Sequence, residues 1–279
     1  MDLSSLIRYY RYNNYKTADN GGACKYYKGN DQCERATNGC FCRKMAEVLG
    51  NISYVVPKEH RGLTINNLRG HSKAKDGQYI KVWTESNQLA ILDTLSDYLY
   101  GTKDLTLISS REDFNRESKL DQRYADGSNL VIHGSPFKVV KGVATRALPM
   151  GKTLIASIVL TDAIWRRCYA TNRADTYSFV SYQTLKQDLR LKNEKAQALK
   201  ECDWLAIDDI STPINDMDFN HQNFISMFDD FLMSRMENRL PTILACDFNA
   251  LSKDYTDMLG YSFQKLITSR NTWLIKVGD

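Results

Sequence analysis

The sequence predicts an α/β fold: a parallel sheet flanked by helices around a phosphate-binding loop, preceded by a small cysteine-rich domain. Three observations predict it. Gly151-Lys152-Thr153 opens an apolar, helix-like run that reaches Trp165. About fifty residues later, the apolar run 204–207 ends in Asp208-Asp209. Short apolar runs alternate with helical patterns through the second half of the chain, which implies right-handed crossovers and parallel strands.

The 279 residues suffice for one large domain and a small one. Hydrophobic residues make up 43% and charged residues 25%, ordinary values for a globular protein. No apolar run has the length of a membrane span and no signal-peptide pattern opens the chain, so a cytoplasmic location is expected. The net charge of +4 is uneven. Residues 1–75 hold 13 Lys and Arg against 6 Asp and Glu, a balance that suits a polyanion, an acidic partner or simply a solvated surface.

The first thirty residues hold six tyrosines among basic residues, from Tyr9 to Tyr27. Such a mixture stacks the bases of single-stranded nucleic acid, packs a small core or docks on a partner protein. Cys24, Cys33, Cys40 and Cys42 follow within 19 residues, with glycines between them. Four thiolates at this density form a tetrahedral Zn²⁺ site, and a segment poor in large aliphatics needs such a staple. Free thiols or a disulfide pair are the alternatives. His60 and His71 are expected at the surface. The resulting division is a zinc-binding partner domain at 1–50, a linker at 51–80 and a main domain at 81–279. A short helix is expected over 43–49.

In the main domain an amphipathic helix is predicted over 87–99, with Leu89, Leu92, Leu95 and Leu99 on one face. Residues 102–127 have no clean period and read as an irregular excursion. The apolar run 130–133 is a buried strand ended by Gly134-Ser135-Pro136. The position where a complete phosphate loop has its first glycine holds Arg146. Looping out 137–149 joins Gly134-Ser135-Pro136 to Gly151-Lys152-Thr153 as an interrupted loop. The insert carries Lys138, Lys141 and Arg146, available to phosphates or a partner. The other reading makes 137–144 the strand itself. In either, backbone N–H groups and a helix N-terminus hold phosphate, Lys152 neutralises it, and the Thr153 hydroxyl binds Mg²⁺.

Further strands are predicted at 176–180, 204–207, 242–246 and 272–277, with helices at 182–191 and 221–238. Acids at the carboxyl end of the 204–207 strand have a specific use beside a phosphate loop. Asp208 would hold Mg²⁺, largely through its water shell, and Asp209 would orient an attacking water. Asp247, at the end of the 242–246 strand, stands where a polar group senses the terminal phosphate.

Several separated stretches together carry a family resemblance. They are Gly-Cys-Phe-Cys-Arg-Lys (39–44), Val-Pro-Lys-Glu-His-Arg (56–61), Asn-Leu-Val-Ile-His-Gly (129–134) with Gly-Lys-Thr, Trp-Leu-Ala-Ile-Asp-Asp (204–209), Asn-Arg-Leu-Pro-Thr-Ile-Leu (238–244) and Leu-Gly-Tyr-Ser-Phe (259–263). In their order and spacing, residues 40–279 resemble the DnaC/DnaI-like helicase-loader family of AAA+ ATPases and its phage relatives. The resemblance implies ATP and Mg²⁺ as cofactors, assembly with ATP into a homo-oligomer on single-stranded DNA, and delivery of a replicative helicase gripped by the amino-terminal domain. It puts Asp247 at the sensor-1 position, where the family usually has Asn, and leaves Arg270 or Lys265 as the arginine finger. The interrupted loop, the displaced finger and the lack of a terminal sensor-2 arginine point to weak or conditional hydrolysis. A non-catalytic adaptor with a degenerate AAA+ domain and a transposition-regulating AAA+ ATPase are the competing readings.

Overall fold

A computed structural model describes residues 41–61, 63, 65, 68, 85–102, 117–134, 137–140, 143–146, 151–171, 173–211, 220–252 and 259–277. The strands come from the short apolar runs. They are β1 (Asn129–His133), β4 (Tyr177–Ser181), β5 (Trp204–Ile210), β6 (Thr242–Cys246) and β7 (Thr272–Lys276), which pair in the order β4-β5-β6-β1-β7. Every pairing is parallel. β2 (Phe137–Val140) and β3 (Val143–Arg146) form a separate antiparallel hairpin. This is the α/β class that the sequence predicts.

Both central strands, β1 and β6, are buried at every position. A strand covered on both faces reads as a continuous apolar run, which is why these were recognisable. Side-chain alternation splits them between two cores. Leu130, Ile132, Trp204, Ala206 and Ile243 join the core on one face, and Val131, Leu205, Ile207 and Leu244 join the core on the other. The second face is closed by α5 (Tyr182–Leu191) and α7 (Asn220–Glu237), with Leu185, Phe224, Phe228, Phe231 and Leu232 buried against the sheet. α6 (Glu194–Glu201) and α8 (Tyr261–Ile267) complete that side.

The first face is built differently from the expectation. α4 (Lys152–Ile164) continues as a π-helix over Trp165–Ala170. It has no polar face: every residue of α4 except Thr153 is buried, including Ser157, Thr161 and Asp162. A helix buried all round needs cover on its outer side, and the amino-terminal part supplies it. α1 (Phe41–Val55) runs six residues past the expected end at Leu49. Val48, Leu49, Ile52, Val56, Ile65 and Leu68 join the same core as α4. Residues from the segment expected to be a linker therefore lie in the main core.

α2 (Glu85–Tyr100) buries Ile91, Leu92, Leu95, Tyr98 and Leu99. Leu89 is 58% exposed, so the buried stripe starts two residues later than its leucine spacing implied. The excursion before β1 contains α3 (Leu120–Asp126), ended by Gly127 in the left-handed region with φ 63°. Arg123 of α3 lies 3.9 Å over the ring of Trp273 and donates to the carbonyls of Tyr98 and Asp97, which ties α2 and α3 to β7. Among the described residues no helix is long and apolar enough to cross a membrane.

Candidate nucleotide site

In a parallel sheet the carboxyl ends of all strands lie at one edge, and the loops there form the site. Gly134 leaves β1 at that edge. Its N–H donates to the carbonyls of Cys246 (3.3 Å) and Phe248 (3.1 Å), beside the end of β6. A Cβ at this position would sit 1.9 Å from the Val277 carbonyl oxygen. Only glycine therefore fits between β1 and the end of β7, whatever ligand the loop takes.

The chain then makes the β2–β3 hairpin, with Phe137 opposite Arg146 and Val140 opposite Val143. Neither reading of 137–149 described this. The segment is a hairpin of its own, outside the parallel sheet. The sequence signal was present, since Val139-Val140 and Val143-Ala144 flank a Lys-Gly pair suited to a turn. Ser135 and Pro136 lie outside the described residues. Gly151, with φ 74°, turns the chain into α4, a backbone state that glycine adopts without steric cost.

Lys152 is only 8% exposed. Its Nζ donates to the carbonyl of Gly134 at 3.2 Å and pairs with Asp247 Oδ1 at 2.8 Å. The hydroxyl of Thr153 donates to the carboxylate of Asp208. β5 was expected to end at Ile207. It runs to Ile210 through an irregularity in its pairing with β6, between Ile207 and Ile210. Asp209 sits in that irregularity with φ 55°, an uncommon state for a residue with a side chain. The kink leaves Asp208 buried and Asp209 exposed, so two adjacent acids meet different surroundings. The N–H of Asp247 donates to the Ile210 carbonyl at 2.8 Å, which fixes Asp247 beside them.

Burial, and then the charges of Asp209 and Asp247, push the Asp208 carboxyl up to about 6, against the opposing hydrogen bond from Thr153. His133 is buried at the end of β1, and its Nδ1 has no hydrogen-bond partner among the described residues. Burial, reinforced by Lys276 and Lys152, brings it down to about 4, so it is neutral at pH 7.

These residues fit a phosphate and a hard cation. A buried ammonium at the start of a helix suits the first. A hydroxyl on a crowded carboxylate suits the second. Among the described residues no group of three or more His, Cys, Asp or Glu is placed to hold a metal ion unaided. Mg²⁺ here would accordingly depend on water and phosphate oxygens besides Thr153 and Asp208.

Arg270 is not brought to this corner. It precedes β7 at the amino edge, where Thr272 pairs beside Asn129, whereas the site adjoins His133 and Lys276. Four residues of strand separate the two edges, roughly 13 Å. Cys24, Cys33 and Cys40 lie outside the described residues, and Cys42 lies in α1 with its side chain likewise outside them. His71 also falls outside.

His60 corrects a surface expectation. It is 4% exposed, in a short 3₁₀ turn over Lys58–His60, and its Nδ1 is 3.1 Å from Ser157 Oγ. Ser157 in turn donates to the Thr153 carbonyl at 2.7 Å. The segment before the main domain is thereby linked to the first turn of α4. The available signal was Ser157 itself, because a hydroxyl inside an apolar helix needs a partner.

No family model matches the chain, and no curated protein matches it. Among solved structures, it is similar to a protein assigned as a primosome component from Streptococcus pyogenes, with 12% identity over 84% of this chain and 97% of that one, at a TM-score of 0.45. It is also similar to DnaI, with 17% identity over 68% of this chain and 90% of that one, at a TM-score of 0.38. The DnaC helicase loader is a third, with 15% identity over 61% and 90% of the two chains and a TM-score of 0.38.

Proposed function

We propose that this chain is an AAA+ ATPase of DNA replication that acts as a helicase loader. One observation carries the nucleotide-binding part of this reading. Lys152 and Thr153, at the start of α4, meet Asp247 and Asp208, from two neighbouring strands, beside Gly134. The strand order β4-β5-β6-β1-β7, parallel throughout and covered by helices on both faces, suits the AAA+ α/β fold. The loader part rests on the sequence resemblance.

In this reading Lys152 and the N–H groups opening α4 hold phosphate, and Thr153 and Asp208 hold Mg²⁺. ATP with Mg²⁺ supplies the binding energy for a conformational switch and the bond that is cleaved. Asp209, exposed next to Asp208, orients water for that cleavage. Asp247 senses the terminal phosphate. Arg270, exposed at the opposite edge, serves as the finger for a neighbouring copy, which requires a homo-oligomer. Hydrolysis is slow. Residues 1–50, with zinc on Cys24, Cys33, Cys40 and Cys42, grip the helicase, and the oligomer binds single-stranded DNA in the cytoplasm.

The adaptor reading has one observation in its favour: the phosphate-binding lysine already has a carboxylate partner. ATP affinity and turnover, measured with and without single-stranded DNA, separate the two. A loader binds ATP and hydrolyses it at a rate that responds to the DNA. An adaptor does neither.

A further inference from the structure

We infer that Asp247 is an internal occupant of the phosphate-binding lysine, so that an entering nucleotide must take Lys152 from it. This rests on the nucleotide-site reading above.

The ion pair is short, 2.8 Å, and its lysine side chain is 9% exposed while the aspartate is 28% exposed. The lysine end is largely removed from water while the carboxylate keeps access to it, so breaking the pair is costly mainly at the lysine unless another anion takes the place of Asp247. The lysine has little freedom to move away, because the Gly134 carbonyl holds it from another side. The backbone of Asp247 is fixed as well. Its N–H is bonded to Ile210, and the next carbonyl, that of Phe248, accepts from Gly134. The carboxylate can therefore leave Lys152 by side-chain rotation, towards its more exposed side.

Charge count gives the same answer. Asp208 and Asp209 adjoin the pair, and the charges of Asp209 and Asp247 are both felt at Asp208. Against these stand Lys152 and, further out, Lys276 on β7, while His133 is neutral. Counting the described residues alone, a polyphosphate arriving here meets more negative than positive charge; the side chains of Lys138, Lys141 and Arg146 lie outside them. An asparagine at 247 would keep the shape and hydrogen-bonding capacity, remove one negative charge and leave Lys152 to the phosphate. The aspartate thus sets nucleotide affinity low and makes occupancy responsive to nucleotide concentration.

The test is calorimetric titration of the full chain with Mg²⁺–ATP and, separately, AMP. Wild type, Asp247→Asn, Asp247→Ser and Lys152→Ala are compared after a thermal-melting check of folding. Asp247→Asn is expected to bind Mg²⁺–ATP roughly tenfold more tightly than wild type, the order of effect seen for close charge pairs. AMP, which lacks the phosphates that would contest Lys152, is expected to show no gain. Asp247→Ser carries the same comparison if the asparagine variant does not fold. Unchanged or weaker ATP binding in the folded Asp247 variant, or an equal gain for AMP, overturns the inference. The nucleotide site itself survives that result if Lys152→Ala loses ATP binding. If wild type and Lys152→Ala bind ATP alike, both fall.

Discussion

The ammonium of Lys152 donates to the carbonyl of Gly134, 3.2 Å away, although the two are 18 residues apart in sequence. The hairpin β2–β3 lies between them in the chain. A phosphate loop is ordinarily one short turn from strand to helix. Here its two ends meet with a hairpin interposed. Removing the hairpin, by replacing 137–149 with a short glycine-containing turn, should leave the fold and ATP binding in place if the hairpin serves a partner. Far-ultraviolet dichroism and nucleotide titration of that variant read the two outcomes.

Gly134 is the most constrained point of this junction. Gly134→Ala drives a methyl group into the Val277 carbonyl. Overpacking of this kind costs about 1–3 kcal/mol. A lowered denaturation midpoint is expected, together with weakened ATP binding, because Lys152 loses the position of its carbonyl partner. Urea denaturation of the variant beside wild type measures the first effect directly.

Asp209→Asn separates binding from chemistry. Asp209 is exposed and takes no part in the Lys152–Asp247 pair. Its substitution should leave ATP affinity within about twofold and reduce turnover on the order of a hundredfold, as for loss of a general base. Phosphate release under saturating ATP gives the rate, and titration gives the affinity.

His133 contributes stability that is lost on acidification. Its folded-state value, about 4, is depressed from an ordinary 6.5 by burial and by Lys276 and Lys152. The unfolded chain thus binds the proton more readily. The contribution is complete above 6.5 and is lost as pH falls towards about 4. Burial lowers His60 as well, in the same direction. Asp208, pushed up to about 6, acts in the opposite direction over the same range. The His133 contribution is therefore read as a difference in denaturation midpoints: from about pH 7.5 to 4.5 wild type should lose stability relative to His133→Asn.

His60→Ala removes the side-chain link between the 3₁₀ turn and Ser157. Losing one buried hydrogen bond costs about 0.5–1.5 kcal/mol. Ser157 keeps its bond to the Thr153 carbonyl, so α4 stays helical. The expected outcome is a modest fall in melting temperature with faster hydrogen exchange over α1 and the 3₁₀ turn, read by mass spectrometry.

Arg270 lies too far from Lys152 to act within one chain. Arg270→Ala should leave ATP affinity unchanged in dilute monomer. Its effect should appear as lost turnover only at protein concentrations that favour assembly. A turnover defect independent of concentration would place its role elsewhere.

Much of the sheet was legible because buried parallel strands are apolar at every position, as in β1 and β6. Helices that pack by one face, such as α7, were legible by period. That Thr153 and Asp208 share one corner was legible, because a phosphate loop and an acidic strand end both lie at the carboxyl edge of a parallel sheet. Less visible were features that depend on what a segment meets in three dimensions. α4 is buried on its outer side by α1; the helical spacing of Val48, Leu49, Ile52 and Val55 announces an apolar face there, but not which helix it meets. His60 becomes buried by meeting Ser157, 97 residues away. The kink that turns Asp208 in and Asp209 out comes from a pairing irregularity with β6, which composition does not encode. The Lys152–Asp247 pair required knowing that the end of β6 faces the start of α4.

Titration calorimetry with Mg²⁺–ATP on the wild-type chain and Lys152→Ala decides whether Lys152 holds the phosphates of a nucleotide. Wild type should bind saturably and the variant at least about tenfold more weakly, as expected when a charge-assisted phosphate contact is removed. No binding at millimolar ATP, or equal binding by the two proteins, would contradict that role of Lys152.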